Sequence, residues 1–172
     1  MAVKGKWAQG ITPRNFTWII KGQLAVCERP GGYGENHRKV RRQEEIIWIR
    51  EQAFTCVVSL IPSEHNLHNY AEYEIPFVHR PLSVHDELPE RLGDLYPELK
   101  GLLANGDKVL VHQDELGDRV CGFMAGFLLW DGLVPTGPEA ISIVEHLTSR
   151  QLGPVGREYV AVAIALRDRA NG

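Results

Sequence analysis

The sequence has little of what would assign it at sight. Cysteine is scarce: the chain holds Cys27, Cys56 and Cys121, an odd number with no metal-type spacing between them, which argues against a disulfide framework and a zinc site. No apolar run approaches the roughly 18 residues that suggest a membrane span, so no membrane partner is expected. Basic residues are not in excess, with 19 Lys and Arg against 22 Asp and Glu and a formal charge of -3. That balance gives no electrostatic case for nucleic acid. "HRKVRR" at 37–42 is a local basic patch, read as the solvated start of a helix or as a docking site. A secretory pattern is also missing at the start, and with the odd cysteines this predicts a cytoplasmic, reducing location. There is no internal repeat and no low-complexity tract.

What is present is a strand and helix alternation. At 172 residues the chain suits one ordinary domain with a real core, expected over 1–172. "FTWIIKGQLAVCE" at 16–28 gathers β-branched and aromatic residues around Gly22, which suggests two short strands or a hairpin. "RPGGYGEN" at 29–36 reads as a loop. "RKVRRQEEIIWIREQAF" at 38–54 sets apolar residues among charges and reads as a helix that buries one face. "TCVVSLIP" at 55–62 is a continuous apolar run ended by proline, a central buried strand, and "IPFVHRPL" at 75–82 gives another. A leucine stripe at 88, 92, 95, 99, 102 and 103 predicts a helix that stops at Asn105-Gly106. "DKVLVH" follows as a central strand, "GDRVCGFMAGFLLWDGL" as a helix apolar all round, and two more helices are expected near 137–149 and 155–168. The order implies an α/β architecture built on a short, mainly parallel sheet flanked by helices.

In such sheets the functional crevice lies beyond the carboxyl ends of the central strands. There stands "VLVHQDELGDRVCGFMAG", residues 109–126. A strand, a short loop and a helix whose N-terminus faces back into the loop can form an anion cradle, because loop amides and the helix dipole converge. Arg119 at the helix start adds a fork of donors.

This stretch resembles the phosphate loop of the cysteine-dependent protein tyrosine and dual-specificity phosphatases, in which a strand ends in His-Cys and an Arg begins the helix. "NFTWIIKGQLA" at 15–25 also resembles the Asn-Phe-x-Trp-x-x-x-Gly-x-Leu-Ala opening of small atypical dual-specificity phosphatases, and the order of elements agrees along nearly the whole chain. The resemblance implies the three-layer α/β fold of that family. It places His112 at the family histidine, Arg119 at the phosphate-binding arginine, Asp86 in the general-acid loop and Gln113 at the nucleophilic cysteine. A carboxamide offers no nucleophile for in-line attack on phosphorus. Leu116 stands at a loop glycine, Asp118 lies just before the arginine, and Val120 replaces the Ser or Thr that steadies the thiolate. The degenerate loop thus comprises His112, Gln113, Asp114, Glu115, Leu116, Gly117, Asp118, Arg119 and Val120.

The acids in that loop bear on ligand binding. Two unit charges about 4 Å apart interact by roughly 4 kcal/mol at an effective dielectric of about 20, so an inward carboxylate would cancel much of what Arg119 gives a phosphate. We expect one of Asp114, Glu115 or Asp118 to pair with Arg119 and lock the loop.

Each further candidate has a plainer reading. Cys121 could be a displaced nucleophile, but on an all-apolar helix it is expected to be a small buried hydrophobe, as are Cys27 and Cys56. Asp86 could serve as a general acid, with His85 competing for the position, or as an acid at the N-terminal end of the next helix. His65, His68, His79 and His85 are too scattered to define a metal site, although "HNLH" has three-residue spacing. Tyr70 and Tyr73 are expected to pack or to border a pocket. No cofactor is expected.

The leading functional expectation is a catalytically inactive phosphatase homologue that binds a protein partner or a small ligand other than simple phosphate. The alternative is a divergent hydrolase that uses His112, Asp86 or a metal held by the loop acids. A structural or oligomer-forming module is a third.

Overall fold

The computed structural model describes residues 9–32, 39–64, 66–83 and 86–172. It divides into two compact units, one built from the chain up to Pro81 together with Gly106–Glu115, the other from Leu82–Asn105 and Leu116–Gly172.

The first unit carries the sheet. Strands β1 (Thr17–Ile20) and β2 (Leu24–Glu28) form an antiparallel hairpin. Gly22 closes its turn at φ +78°, a backbone region that costs other residues a Cβ clash. Helix α1 (Lys39–Glu51), strand β3 (Cys56–Ser59), helix α2 (His68–Glu72), strand β4 (Phe77–His79) and strand β5 (Val109–Gln113) complete the unit. The sheet order is β1-β2-β5-β3-β4, with β2, β5, β3 and β4 parallel. The expected mainly parallel sheet is therefore present, with the two continuous apolar runs at its centre.

Its core lies where α1 meets the sheet. Ile46 and Ile49 pack with Ala25, Cys27, Val57 and Leu110. Phe16, Trp18, Trp48 and Phe54 form a ring cluster, with Trp18 stacked on Phe54 at 5.6 Å, so the two aromatics of the "NFTW" opening are half-buried and pack against the core. The side chain of Asn15, at φ 56°, donates to Glu28 Oε1 at 2.8 Å.

The second unit is helical: α3 (Leu88–Ala104), α4 (Asp118–Trp130), α5 (Gly137–Thr148) and α6 (Pro154–Asn171). All residues of α4 from Val120 to Leu129 are buried, as its unbroken apolar composition predicts. Close approach explains its glycines: a Cβ on Gly122 would overlap the Gly156 backbone of α6, and one on Gly126 would overlap the Tyr96 hydroxyl. That hydroxyl donates to Phe123 O at 2.9 Å. Thr136 caps α5 by accepting from Glu139 N–H at 3.3 Å.

The helices and strands fall where the sequence places them, apart from one omission. Helix α2 spans only 5 residues, too few for a 3.6-residue period to show.

Candidate functional site

The degenerate loop begins in the sheet unit. Strand β5 sits between β2 and β3, with His112 in register with Cys27 on one side and Ser59 on the other. The backbone is fully used here: His112 O accepts from Leu60 N–H and Gln113 O from Arg29 N–H, each at 2.9 Å. His112 is 1% exposed, and neither ring nitrogen has a hydrogen-bond partner among the described residues. Burial first, then the positive charges of Arg29 and His79, lowers its pKa to about 3. The imidazole is therefore neutral at physiological pH and a poor base. Its ring lies 5.8 Å from that of Tyr70, which is itself buried.

Gln113 is buried too, and its Oε1 accepts from Asp114 N–H at 3.2 Å. The carboxamide at the end of β5 thus closes a turn against its own backbone. Asp114 Oδ1 lies 3.4 Å from Arg29 Nη1, a residue that the sequence reading did not single out. Glu115 is exposed.

The remainder of the loop belongs to the helical unit. Leu116 is buried, Gly117 is the N-cap of α4 in extended backbone, and Asp118 is the first helical residue. Asp118 Oδ1 accepts from Gly153 N–H at 2.8 Å. Gly153 is the N-cap of α6 and has no side chain to cap with, so the carboxylate of one helix supplies the acceptor and negative charge that the other needs. Arg119 stands beside the Tyr159 hydroxyl and its positive charge favours the ionised form. Burial outweighs that contact and pushes Tyr159 up to about 12, although Arg119 pulls the other way. Arg119 Nε is buried with no acceptor among the described residues.

These partners correct the expected locking pair. Asp118 turns to the α6 amide instead of to its neighbour Arg119, and Asp114 turns to Arg29. The reason lies in distant chain: Gly153 presents an unsatisfied N–H at a helix start, and Arg29 follows the adjacent strand. Neither is visible from the loop's own sequence.

Arg119 lines a pocket of about 420 Å³ together with Asp86, Ser83, Glu158 and Tyr159. Arg119 and Asp86, widely separated in sequence, thus share one pocket. Asp86 precedes α3, but its carboxylate accepts from Ser83 N–H at 2.7 Å and caps the preceding turn. The N-cap of α3 is Glu87, and it makes no side-chain capping bond. Asp86 thus stands one residue before that N-cap, with its carboxylate held by the turn. Glu158 and Tyr159, on the first turns of α6, were not anticipated; in sequence they are an ordinary polar pair inside an amphipathic helix.

The other candidates are dispersed. Cys27, Cys56 and Cys121 are free and buried. Burial raises the pKa of Cys27, and it raises that of Cys121 although Thr148 and Arg150 pull the other way. Both remain thiols, inert as nucleophiles. His79 Nε2 lies 2.8 Å from Ile61 O, and exposed His68 lies 3.9 Å from Glu72. Tyr73 lies under Arg50. Positions 65 and 85 lie outside the described residues, so His65 and His85 are not placed. Among the described residues no three His, Cys, Asp or Glu side chains come together as metal ligands, and no helix is long and apolar enough to cross a membrane.

A short parallel sheet, with a histidine ending its central strand and an arginine opening a buried helix, describes a class of enzyme folds, and comparison with solved structures makes the class definite: the fold is that of the dual-specificity and protein tyrosine phosphatases. The structure of Tk-PTP in its active form superposes with a TM-score of 0.70 at 18% identity, over 90% of this chain and 97% of its own. Kinase associated phosphatase, solved with its catalytic-site cysteine substituted by serine, gives 0.73 at 19% identity over 94% and 98%. The human tyrosine phosphatase-like serine/threonine/tyrosine-interacting protein gives 0.66 at 13% identity over 91% and 98%. No protein-family model matches the sequence, and no curated protein does.

Proposed function

We propose that the protein is a pseudophosphatase, a phosphatase-fold domain without cysteine-dependent catalysis that acts in the cytoplasm by binding a protein partner or a small ligand. The observation that carries this reading is Gln113, a buried carboxamide bonded to its own loop at the position where the family resemblance expects the attacking thiolate. The buried cysteines support it, because a phosphoryl group needs an accessible thiolate to form the covalent intermediate. The printed name of the human neighbour, an interacting protein that is phosphatase-like, is consistent with a binding role for such a fold.

The shared pocket of Asp86 and Arg119 favours one alternative, a hydrolase that activates water with Asp86 and grips the substrate with Arg119. An assay separates the two. Purified protein is expected to release no phenolate from an aryl phosphate above background between about pH 5 and 8, with or without Mg²⁺, a range that spans the usual acid and base titrations. Turnover abolished by Asp86→Asn and insensitive to thiol alkylation would establish the hydrolase, whereas turnover blocked by alkylation would return catalysis to a cysteine and overturn both readings.

A further inference from the structure

The sheet ends on strand β4, which among the described residues pairs with β3 alone. Val57 N–H donates to Pro76 O at 2.9 Å and Arg80 N–H to Ser59 O at 2.8 Å, so the ladder takes up residues 76, 78 and 80 of this segment. Along a strand the main-chain groups of successive residues point to opposite sides. The amides and carbonyls of Phe77 and His79 therefore face away from the sheet. One of these groups is occupied, since His79 O accepts from Arg80 Nη1 at 3.0 Å. The Phe77 amide, the Phe77 carbonyl and the His79 amide have no partner among the described residues, and such an open row is a template for another strand.

The side chains of the same two residues open onto a cleft. Phe77 and His79, two apart and so on one face of the sheet, line it together with Glu64, Leu67 and His68 from the chain at the start of α2. Its free space is about 290 Å³, against the roughly 10–15 Å³ that one water needs, so it has room for a long side chain. Leu67 is buried and Phe77 packs against Tyr70 with ring centroids 5.8 Å apart, which gives the cleft an apolar wall. Its imidazoles are turned to their own chain: His79 Nε2 lies 2.8 Å from Ile61 O, and His68 Nε2 lies 3.9 Å from Glu72. Glu64 is exposed, and its carboxylate has no partner among the described residues. The charge left unmatched in the lining is thus negative.

We propose that the β4 edge and this cleft form a docking surface for an extended peptide segment of a partner protein, which adds to β4 as a further strand and sends a lysine or arginine side chain into the cleft. The segment accepts from the Phe77 and His79 amides and donates to Phe77 O. The stem of its basic side chain lies on Leu67 and Phe77, and the charged head meets Glu64. Main-chain bonds give such a surface its affinity, and the pocket for an alternate side chain gives it its choice of sequence. The surface shares no residue with the pocket of Arg119. It gives the proposed binding role a place and a partner chemistry, and it stands whether or not the domain turns over a phosphate.

Titration of the whole ¹⁵N-labelled chain with a capped heptapeptide that alternates threonine and valine around a central lysine tests the proposal. The Phe77 and His79 amide signals are expected to shift and their hydrogen exchange to slow. The same peptide N-methylated at every residue has no main-chain donor left, and it is expected not to bind. A peptide with glutamate in place of the lysine is expected to bind about fivefold more weakly, and Glu64→Gln to weaken the lysine peptide about twofold to fivefold, as for an exposed ion pair. His79→Pro removes an edge N–H that the ladder does not use, a place where proline is tolerated, and this variant is expected to fold and to lose the peptide. If it does not fold, the N-methylated peptide on the wild-type chain decides. Unmoved Phe77 and His79 signals, equal binding of the N-methylated or the glutamate peptide, or undiminished binding to Glu64→Gln or to folded His79→Pro would each overturn the proposal. Self-association of the whole chain that His79→Pro abolishes would assign the edge to a second copy and overturn it as well.

Discussion

His112 ties the structure to pH. In an unfolded chain a histidine titrates near 6.5, and in this fold it titrates at about 3. Between those values the unfolded state binds the extra proton, so stability is full above about pH 6.5 and is lost as pH falls toward 3, with a limiting slope of about 1.4 kcal/mol per pH unit. Glu45 works in the opposite sense, because burial raises its pKa and makes the fold favour its protonated form. The difference between wild type and His112→Phe isolates the histidine. Urea denaturation at steps between pH 7 and 4 should show wild type losing stability faster than the variant; parallel curves would mean that the ring is solvated. Arg119 invites a second test. Because Arg119 stands beside the Tyr159 hydroxyl and forms no ion pair with a carboxylate among the described residues, Arg119→Ala should cost no more than about 1.5–3 kcal/mol, the range for a polar contact of a charged group, and not the 3–5 kcal/mol of a broken buried ion pair. A larger loss by chemical denaturation would restore the pair.

At the scale of elements, Asp118 joins two helices. Its carboxylate accepts the Gly153 amide at 2.8 Å, and a Cβ on Gly153 or Gly156 would crowd the same carboxylate. Both glycines thus make room for an acid that begins another helix. Asp118→Ala should leave the α6 N-terminus uncapped and cost about 0.5–2 kcal/mol, with hydrogen exchange quickening first at residues 153–157. Uniform exchange across α6 in that variant would show that the contact does not hold the helix end.

This contact also marks what the sequence could disclose. Helices α3 and α4 were legible because a leucine stripe and an unbroken apolar run are local patterns with fixed periods. The two central strands were legible because burial on both faces leaves continuous apolar runs. The order of site residues along β5 and α4 was legible through the phosphatase resemblance. The direction of each carboxylate was not, because Asp118 answers to Gly153 and Asp114 to Arg29, partners that only the fold brings near. Helix α2 was hidden for a related reason: at 5 residues it is shorter than a pattern.

At the scale of the whole molecule, the question is how far this fold stands from catalysis, and the carboxylate partners change the answer that charge alone suggests. A thiolate introduced at 113 would be repelled by inward-facing acids, which raise its pKa above about 8.5. Yet Asp114 is paired with Arg29, Asp118 is bonded to the Gly153 amide, and Glu115 is exposed, so electrostatics is the smaller obstacle. Shape is the larger one. Leu116 and Val120 are both buried, at positions where the family resemblance calls for a glycine that lets backbone approach phosphate and a hydroxyl that steadies the thiolate. Gln113→Cys alone should therefore give no burst with an aryl phosphate. Adding Leu116→Gly and Val120→Ser should produce one, provided that Asp118 is kept for α6, and Leu116→Gly should cost a few kcal/mol, about the scale of deleting a buried leucine. Burst amplitude in rapid-mixing kinetics reads covalent capture even where turnover is slow. A full burst from Gln113→Cys by itself would show that the missing sulfur is the only defect, and a burst that appears only after Asp118 is neutralised would return the barrier to charge.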